Sequence, residues 1–520
     1  MGTVADLLLA RADDDRPALL HGDRTWSYRQ LVAEARRRQA LHATLHDPAR
    51  PPHLGVLLDN VPDYVFWLAA SALSGSVVVG INATYRGGPL AQLIEHTDCE
   101  LLVTSTGYAE LLAGLDHGVP ADKVLIVDEQ DLPDTGVEPP AVTVTDDGLF
   151  LLIFTSGSTG LPKAVRCTQG RFARTGAHVA RITELGDGDV VYAPLPLFHS
   201  SSLFTGWAST LSAGTPFATR TKFSASNTLP DIRRFGATVM TYTGKVLNYI
   251  LAVPERPDGT DADSPLRLAI GNEASARDID EFARRFGCTV RDSYGSTEGV
   301  IIIRRHPGMP AGALGTADPS VKVMDPETRR ECPPGVVGEI VETEPTAGFE
   351  GYYKNEAATQ ARFVDGWYWS GDLAYRDPEG WLYFAGRSNE WLRVDGENFA
   401  AGPVEAIVAR HPDVRAVAVY AVPDEPVGDR VMVAVELRAG AAFDPAAFDA
   451  FLLEQPDLGP KWVPSFVRVT SELPKLASMK VDKTTLRQEA WHAGDVWWRP
   501  AKGEPLRVLT GETPVHDERR

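Results

Sequence analysis

The densest chemistry in the chain is the ten-residue string Phe154-Thr-Ser-Gly-Ser-Thr-Gly-Leu-Pro-Lys163, which directly follows the apolar run 149–154. A polyphosphate needs several donors at short range, and this string supplies each kind. Gly157 and Gly160 let backbone N–H groups approach, Thr155, Ser156, Ser158 and Thr159 add hydroxyls, and Lys163 adds a cation. It is not a Walker A loop, because Lys163 follows Pro162 and the GxxxxGK[ST] spacing is absent. A bare GxxG is usually a surface turn. Ten consecutive residues of fitting chemistry after a buried strand reverse that preference, yet alone they identify only phosphate binding.

Elements of alternating type must position this string. Residues 17–36 predict strand, turn, strand and helix, with Gly22-Asp23 in the turn, and Asp59-Asn-Val-Pro62 predicts a helix start. Apolar strand-like runs recur at 101–104, 124–127, 149–154, 190–192 and 238–241, and helical patterns fall at 231–235 and 276–286. Strands this apolar, alternating with helices, predict mostly parallel sheets covered on both faces. The uncharged stretch 65–82 approaches the length of a membrane span, but Ser71, Ser74, Gly75 and Ser76 interrupt it. A buried helix followed by a buried strand is the better reading. Near residue 387 the texture changes. Alternation in Ala416-Val-Ala-Val-Tyr420 and Val431-Met-Val-Ala-Val-Glu-Leu437, with a helix starting near Pro403, predicts an α+β module of roughly a hundred residues. Residues 500–520 are polar and read as a loose tail.

A chain of 520 residues exceeds one ordinary core, and 43% hydrophobic with 23% charged residues is a globular composition. The net charge of −19, from 70 acidic and 51 basic residues, repels nucleic-acid backbones and makes nucleic acid an unexpected partner. Cys99, Cys167, Cys288 and Cys332 lie far apart with no CxxC pair, which disfavours disulfides and zinc and fits a reducing cytoplasm. No secretory signal is visible at the amino terminus. Peripheral membrane contact and a homodimer are both compatible with these features.

Further strings follow the phosphate loop in a fixed order: Pro194-Leu-Pro-Leu-Phe-His199, Tyr294-Gly-Ser-Thr-Glu298-Gly, Ser370-Gly-Asp372-Leu with Gly386-Arg387, and Pro474-Lys-Leu-Ala-Ser-Met-Lys480. Together they resemble the adenylate-forming superfamily of acyl-CoA synthetases, peptide-synthetase adenylation domains and beetle luciferases. Leu197-Phe-His-Ser-Ser, Lys222-Phe-Ser-Ala-Ser, Arg234-Phe-Gly-Ala-Thr-Val, Ala269-Ile-Gly-Asn and Arg393-Val-Asp-Gly-Glu-Asn resemble its fatty-acid transport protein and very-long-chain acyl-CoA synthetase branch.

The resemblance implies an α/β fold. Residues 1–388 would form a large N-terminal domain of mostly parallel sheets with covering helices plus a β-barrel-like subdomain. Residues 389–500 would form a small mobile α+β domain, followed by a polar tail at 501–520. It implies an ATP-dependent acyl-CoA ligase that turns a hydrophobic carboxylic acid into its acyl adenylate and then into a thioester of coenzyme A, with Mg²⁺ as the metal. Glu298 and Thr155 would hold Mg²⁺, a cation that takes hard oxygen donors. Thr297 would bond the α-phosphate, Tyr294 would stack on adenine beside Gly295, and Gly271, Asn272 and Glu273 would lie near the base. Asp372 and Arg387 would take the ribose. Lys480 would bridge substrate carboxylate and α-phosphate, and His199 would act as a gate near the acyl site. The hinge falls at Asn389 and the glycine of the CoA tunnel at Gly396, where a side chain would block a narrow channel. Phe204, Trp207, Tyr242, Thr243 and Ile301 are expected near the acyl pocket.

Several positions depart from the commoner pattern. These are Asn389 at the hinge, Met479 before the lysine, Asp292 before the Tyr-Gly pair, and Gly271-Asn-Glu-Ala in place of Gly-Gly-Ala. None removes an essential group. Two rivals stand beside the ligase: loading of a separate carrier protein, and a non-catalytic fatty-acid binding or transport component. Simple binding needs neither Lys480 nor Glu298.

Overall fold

The computed structural model describes residues 2–509 except 129–131, 133–134, 156–161, 258, 302, 306–307, 311, 346–347, 388–390, 395–396, 425–427, 477–479 and 501–502. The chain forms two compact units, one of residues 1–300 with 345–363 and one of 301–344 with 364–520.

The first unit holds two sheets. One has the spatial order Thr289–Asp292, Leu268–Asn272, Val239–Thr243, Val191–Tyr192, Phe217–Thr219, Pro17–His21, Arg24–Ser27. It is parallel except for its last pair, the hairpin expected around Gly22. The other orders Val124–Ile126, Leu101–Thr104, His53–Leu57, Val77–Gly80, Leu149–Thr155 and Lys163–Thr168, with only the last pair antiparallel. All five apolar runs predicted as strands are strands.

The stretch with membrane-like hydropathy is a buried helix, Pro62–Ser74, followed by the strand Val77–Gly80. Residues 64–73 of the helix are buried all round, as a helix apolar on every face requires. Gly75, at φ +72°, ends it in the left-handed region that a side chain would resist. Pro62 occupies the first turn, as expected, with Val61 as the cap. No helix among the described residues is long and apolar enough to cross a membrane.

Asn60 does different work. It is 3% exposed, its amide donates to the carbonyl of Leu195 at 2.8 Å, and its Oδ1 accepts the Leu197 N–H at 2.8 Å. One side chain thus ties the start of a helix to the Pro194–His199 string. That string leaves the carboxyl end of Val191–Tyr192 and passes into a wide, π-helical turn over Ser201–Ala208.

In the second unit, strands Val321–Met324, Gly338–Glu342, Trp367–Arg376, Phe363–Val364 and Leu382–Arg387 make a curled antiparallel sheet. Residues 391–508 carry another sheet built around the antiparallel pair Val414–Asp424 and Gly428–Leu437. Val431, Val433 and Val435 enter a core with helices Ala401–Val408 and Pro445–Leu453. Met432 and Ala434 enter another core on the opposite face, with Leu486. The two-residue period of a strand therefore feeds two cores at once. The tail expectation meets a different arrangement at its start. Arg507–Val508 pair with Trp497 and Trp498, and Leu506 is buried, while 510–520 lie outside the described residues.

Removing the Asn60 side chain strands buried backbone groups that it satisfies. Asn60→Ala should therefore lower unfolding free energy by about 2–4 kcal/mol, at roughly 1–3 kcal/mol per orphaned group. Denaturant midpoints measure this, and an unchanged midpoint would show that the string is held by something else.

Candidate active site

The phosphate-loop string closes a hairpin. Thr155 stands opposite Lys163 in the antiparallel pair of strands, and the Thr155 hydroxyl donates to the Lys163 carbonyl at 3.4 Å. Ser156, Gly157, Ser158, Thr159 and Gly160 lie outside the described residues.

On the far side of strand Lys163–Thr168, residues 351–353 run alongside it. Arg166 N–H donates to the Gly351 carbonyl at 3.0 Å, Tyr353 N–H donates to the Ala164 carbonyl at 2.8 Å, and Val165 bridges Tyr352. This places the Tyr352 ring 5.2 Å from the Lys163 ammonium. Burial and the nearby Arg362 guanidinium hold the Lys163 pKa below the ordinary lysine value, against the opposite pull of Glu298. A polyanion arriving here would favour the charged form of the lysine and oppose that shift.

Tyr352 is 4% exposed, and its hydroxyl donates to Glu298 Oε1 at 2.8 Å while accepting from Arg362 Nε at 3.3 Å. Burial, and then the Glu298 charge, raise its pKa, so the phenol stays a neutral donor. Glu298 is itself 7% exposed. Its Oε2 accepts no hydrogen bond from a described residue, so one oxygen is fixed and the other is left to a ligand. The backbone beneath is held by Arg171, which donates to the carbonyls of Thr297 and Glu298, the latter at 3.0 Å, and to that of Arg166 at 2.8 Å. The Thr297 hydroxyl donates to Ser200 Oγ at 3.2 Å, beside His199, whose ring lies 4.4 Å from that of Phe198.

Parallel register aligns the remaining first-unit positions. Tyr242 pairs with Gly271, Thr243 with Asn272, and Gly271 with Asp292 across three neighbouring strands. Their carboxyl ends therefore deliver Thr243, Gly271 to Glu273 and Tyr294 to one edge, the edge where open α/β sheets bind ligands. Asp292 Oδ1 accepts both the Tyr242 hydroxyl, at 3.0 Å, and the Ala274 N–H, at 3.1 Å. A Cβ on Gly271 would meet the Tyr242 carbonyl oxygen at 2.1 Å, so only glycine fits there. Glu273 adopts φ +65°, a left-handed conformation costing about 1 kcal/mol in a non-glycine residue. Tyr294 is half-buried, and Gly295 faces open space.

Four of the five residues expected at the acyl pocket are buried: Tyr242, Trp207, Thr243 and Ile301. Tyr242 is fully buried with its hydroxyl on Asp292, and Trp207 is fully buried with its ring 5.7 Å from Phe172. Phe204 is half-buried, 5.5 Å from Phe172 and 5.8 Å from the Arg171 guanidinium.

In the second unit, Asp372 and Arg387 are direct register partners across adjacent antiparallel strands. Ser370 Oγ accepts the Asp372 N–H at 3.0 Å and donates to the Ile340 carbonyl at 2.7 Å, which fixes the turn into the carboxylate. Lys480 sits where the loop from Pro474 returns. Leu476 N–H donates to its carbonyl at 2.8 Å, and Lys475 bridges Val481. Ile301 is buried, also in this unit, and Asn389, Gly396 and Met479 lie outside the described residues.

Sequence reading missed Tyr352, Arg362 and Arg171. The cue available for the first was a pair of tyrosines after Gly351, a weak signal until the strand pairing is known.

The donor set fits a hard divalent cation: one carboxylate with a committed and an uncommitted oxygen, flanked by hydroxyls and a lysine. The family model described as AMP-binding enzyme matches residues 9–353, and AMP-binding enzyme C-terminal domain matches 403–480. The medium/long-chain-fatty-acid–CoA ligase FadD17 of Mycobacterium tuberculosis is 47% identical over 500 residues, covering 95% of this chain and 98% of the relative. The steroid-22-oyl-CoA synthetase of Rhodococcus jostii is 45% identical over 518 residues, covering 96% and 93%. Among solved structures, ATP-bound MatB from Rhodopseudomonas palustris superposes with a TM-score of 0.81 at 25% identity, covering 94% of this chain and 99% of that one.

Tyr352→Phe keeps the ring facing Lys163 and deletes the donor to Glu298. Hydrogen bonds to charged groups are worth about 1.5–3 kcal/mol. The variant should therefore bind Mg²⁺-nucleotide at least about tenfold more weakly by calorimetry, with magnesium-free nucleotide binding little changed. Equal weakening in both conditions would contradict this role for Tyr352.

Proposed function

Because this chain belongs to the AMP-binding enzyme family and is an AMP-forming acid–thiol ligase of the acyl-CoA synthetase type, we propose that it activates a long-chain or bulky hydrophobic carboxylic acid as the acyl adenylate and transfers the acyl group to coenzyme A. The buried Glu298 carboxylate, oriented by Tyr352 and grouped with Lys163, carries the reading. A binding protein with no chemistry to perform has no need of a buried, oriented carboxylate beside a phosphate-loop cation.

In the first half-reaction a substrate carboxylate oxygen attacks the α-phosphorus of ATP and pyrophosphate leaves. Catalysis here is mainly positioning and neutralisation of developing charge. Magnesium, when bound, neutralises charge on the phosphoryl oxygens. Glu298 holds it, with Thr155 adding a hydroxyl. Residues 155–160 and Lys163 cradle the β- and γ-phosphates, and Thr297 bonds the α-phosphate. Tyr294 stacks on adenine, and Gly271, Asn272 and Glu273 border it. Asp372 and Arg387 take the ribose, and their direct register pairing supports that joint role. Lys480 supplies the mobile cation between carboxylate and α-phosphate. His199 gates the acyl entrance, and Phe204, Thr243 and Ile301 contribute apolar wall.

In the second half-reaction the CoA thiolate attacks the acyl carbonyl and AMP leaves. Residues 389–500 act as a mobile domain turning at Asn389, which withdraws Lys480 and brings Gly396 to the pantetheine. The substrate is a hydrophobic acid because the relatives at 47% and 45% identity are named for medium/long-chain fatty acids and for a steroid acid.

Pyrophosphate release screened over carboxylic acids, with and without CoA, tests the function. Long-chain and polycyclic acids should outpace acetate at least about a hundredfold, since each buried methylene is worth ~0.8 kcal/mol. Preference for short polar acids would refute the substrate class. Lys480→Ala should abolish carboxylate-dependent pyrophosphate exchange yet still convert preformed acyl adenylate to thioester. Undiminished exchange removes Lys480 from the first step. Gly396→Leu should spare exchange and slow thioester formation, and equal loss of both half-reactions would rule out a tunnel position.

A further inference from the structure

A second cluster of metal-ligating side chains stands elsewhere in the first unit: His42, His46 and Glu100. Helix Tyr28–Leu45 carries His42 in its last turn, and the His46 N–H donates to the His42 carbonyl at 2.8 Å. The centroids of the two rings lie 5.7 Å apart. Glu100, immediately before strand Leu101–Thr104, is 0% exposed. Its Oε1 faces both rings, 3.0 Å from His42 Nε2 and 2.7 Å from His46 Nδ1, while Oε2 accepts the Asp47 N–H at 3.0 Å.

A fully buried carboxylate needs partners for both of its oxygens. Among the described residues, the ion-pair partners of Glu100 are these two imidazoles, and no Arg or Lys pairs with it. With two imidazole nitrogens on Oε1 and the Asp47 N–H on Oε2, three metal-ligating side chains already converge on one point.

We propose that His42, His46 and Glu100 form a binding site for a borderline divalent transition-metal ion of the zinc class, separate from the magnesium–nucleotide site. The three ligand atoms lie within 4.8 Å of one another. Tetrahedral zinc with bonds of about 2.0–2.2 Å needs ligand atoms roughly 3.3 Å apart, so the ring nitrogens, at 3.0 and 2.7 Å from Oε1, have to draw back from it by only about half an ångström or less. Two imidazoles, one from the last turn of a helix and one from its C-cap, with a carboxylate, are a zinc-type donor set, whereas Mg²⁺ prefers all-oxygen shells. The Asp47 N–H on Oε2 already orients the carboxylate, as an outer-shell donor does at a metal site. His42 and Glu100 are buried while His46 is partly exposed, which leaves the fourth position to solvent. Occupancy would clamp the end of helix Tyr28–Leu45 to the start of strand Leu101–Thr104.

Chelator-treated full-length protein, kept in excess Mg²⁺ to fill the hard-oxygen site, is titrated with Co²⁺ and with Zn²⁺. One equivalent of Co²⁺ should give the intense visible bands of a tetrahedral N/O site, and one equivalent of Zn²⁺ should raise Tm by several degrees. His46→Ala, at the partly exposed position, and Glu100→Gln should each lower affinity at least about a hundredfold. His46→Ala should retain the metal-free Tm to within a few degrees and full pyrophosphate exchange. Absence of stoichiometric binding, or binding by His46→Ala equal to wild type, overturns the proposal. So does a Tm that one equivalent of Zn²⁺ leaves unchanged.

Discussion

The site depends on keeping one carboxylate charged, buried and aimed. Glu298 is almost wholly withdrawn from solvent, in a protein whose net charge of −19 already disfavours another anion. The Tyr352 hydroxyl fixes one of its oxygens, and Arg171 anchors the backbone carbonyls on which it stands. A loose carboxylate would fold back to the nearest cation. A locked one offers its second oxygen in a set direction, which is the preorganisation that electrostatic catalysis requires. Lys163, with its pKa held low by burial and by Arg362, is likewise poised to gain from the arrival of a polyphosphate.

The rest of the first unit serves that arrangement. Parallel strands end at one edge by register, so residues far apart in sequence arrive together: Tyr242 beside Gly271, and Gly271 beside Asp292. Asp292 accepts from both a neighbouring strand and the following loop, which gives a structural reason for this residue before the Tyr-Gly pair. Asn60 performs the equivalent fastening for the string that ends in His199. The enzyme thus uses buried, multiply bonded polar side chains as rivets between its loops, because loops leaving a sheet edge have no ladder of their own.

Much of this was legible in the chain. Apolar runs of three to six residues marked five strands of the parallel sheets, since burial on both faces leaves little ambiguity. The motif order gave the family and the AMP-forming ligase chemistry, which the family match and the relatives bear out. What escaped were residues whose value is purely spatial. Arg171 reads as an ordinary helical arginine until its guanidinium is found under residues 297 and 298, 126 and 127 positions away. Tyr352 acquires meaning only when residues 351–353 pair with strand Lys163–Thr168. Trp207 and Tyr242, expected near the acyl pocket from their proximity to motifs, are buried, with the Tyr242 hydroxyl on Asp292.

The most direct measurement is a paramagnetic titration in which Mn²⁺ replaces Mg²⁺, followed by electron paramagnetic resonance with ATP present, for the native chain and Glu298→Gln. The native chain should hold manganese–nucleotide with a strongly broadened signal, and the variant should lose that affinity while still binding AMP. A variant spectrum indistinguishable from the native one would mean that the buried carboxylate does not seat the metal.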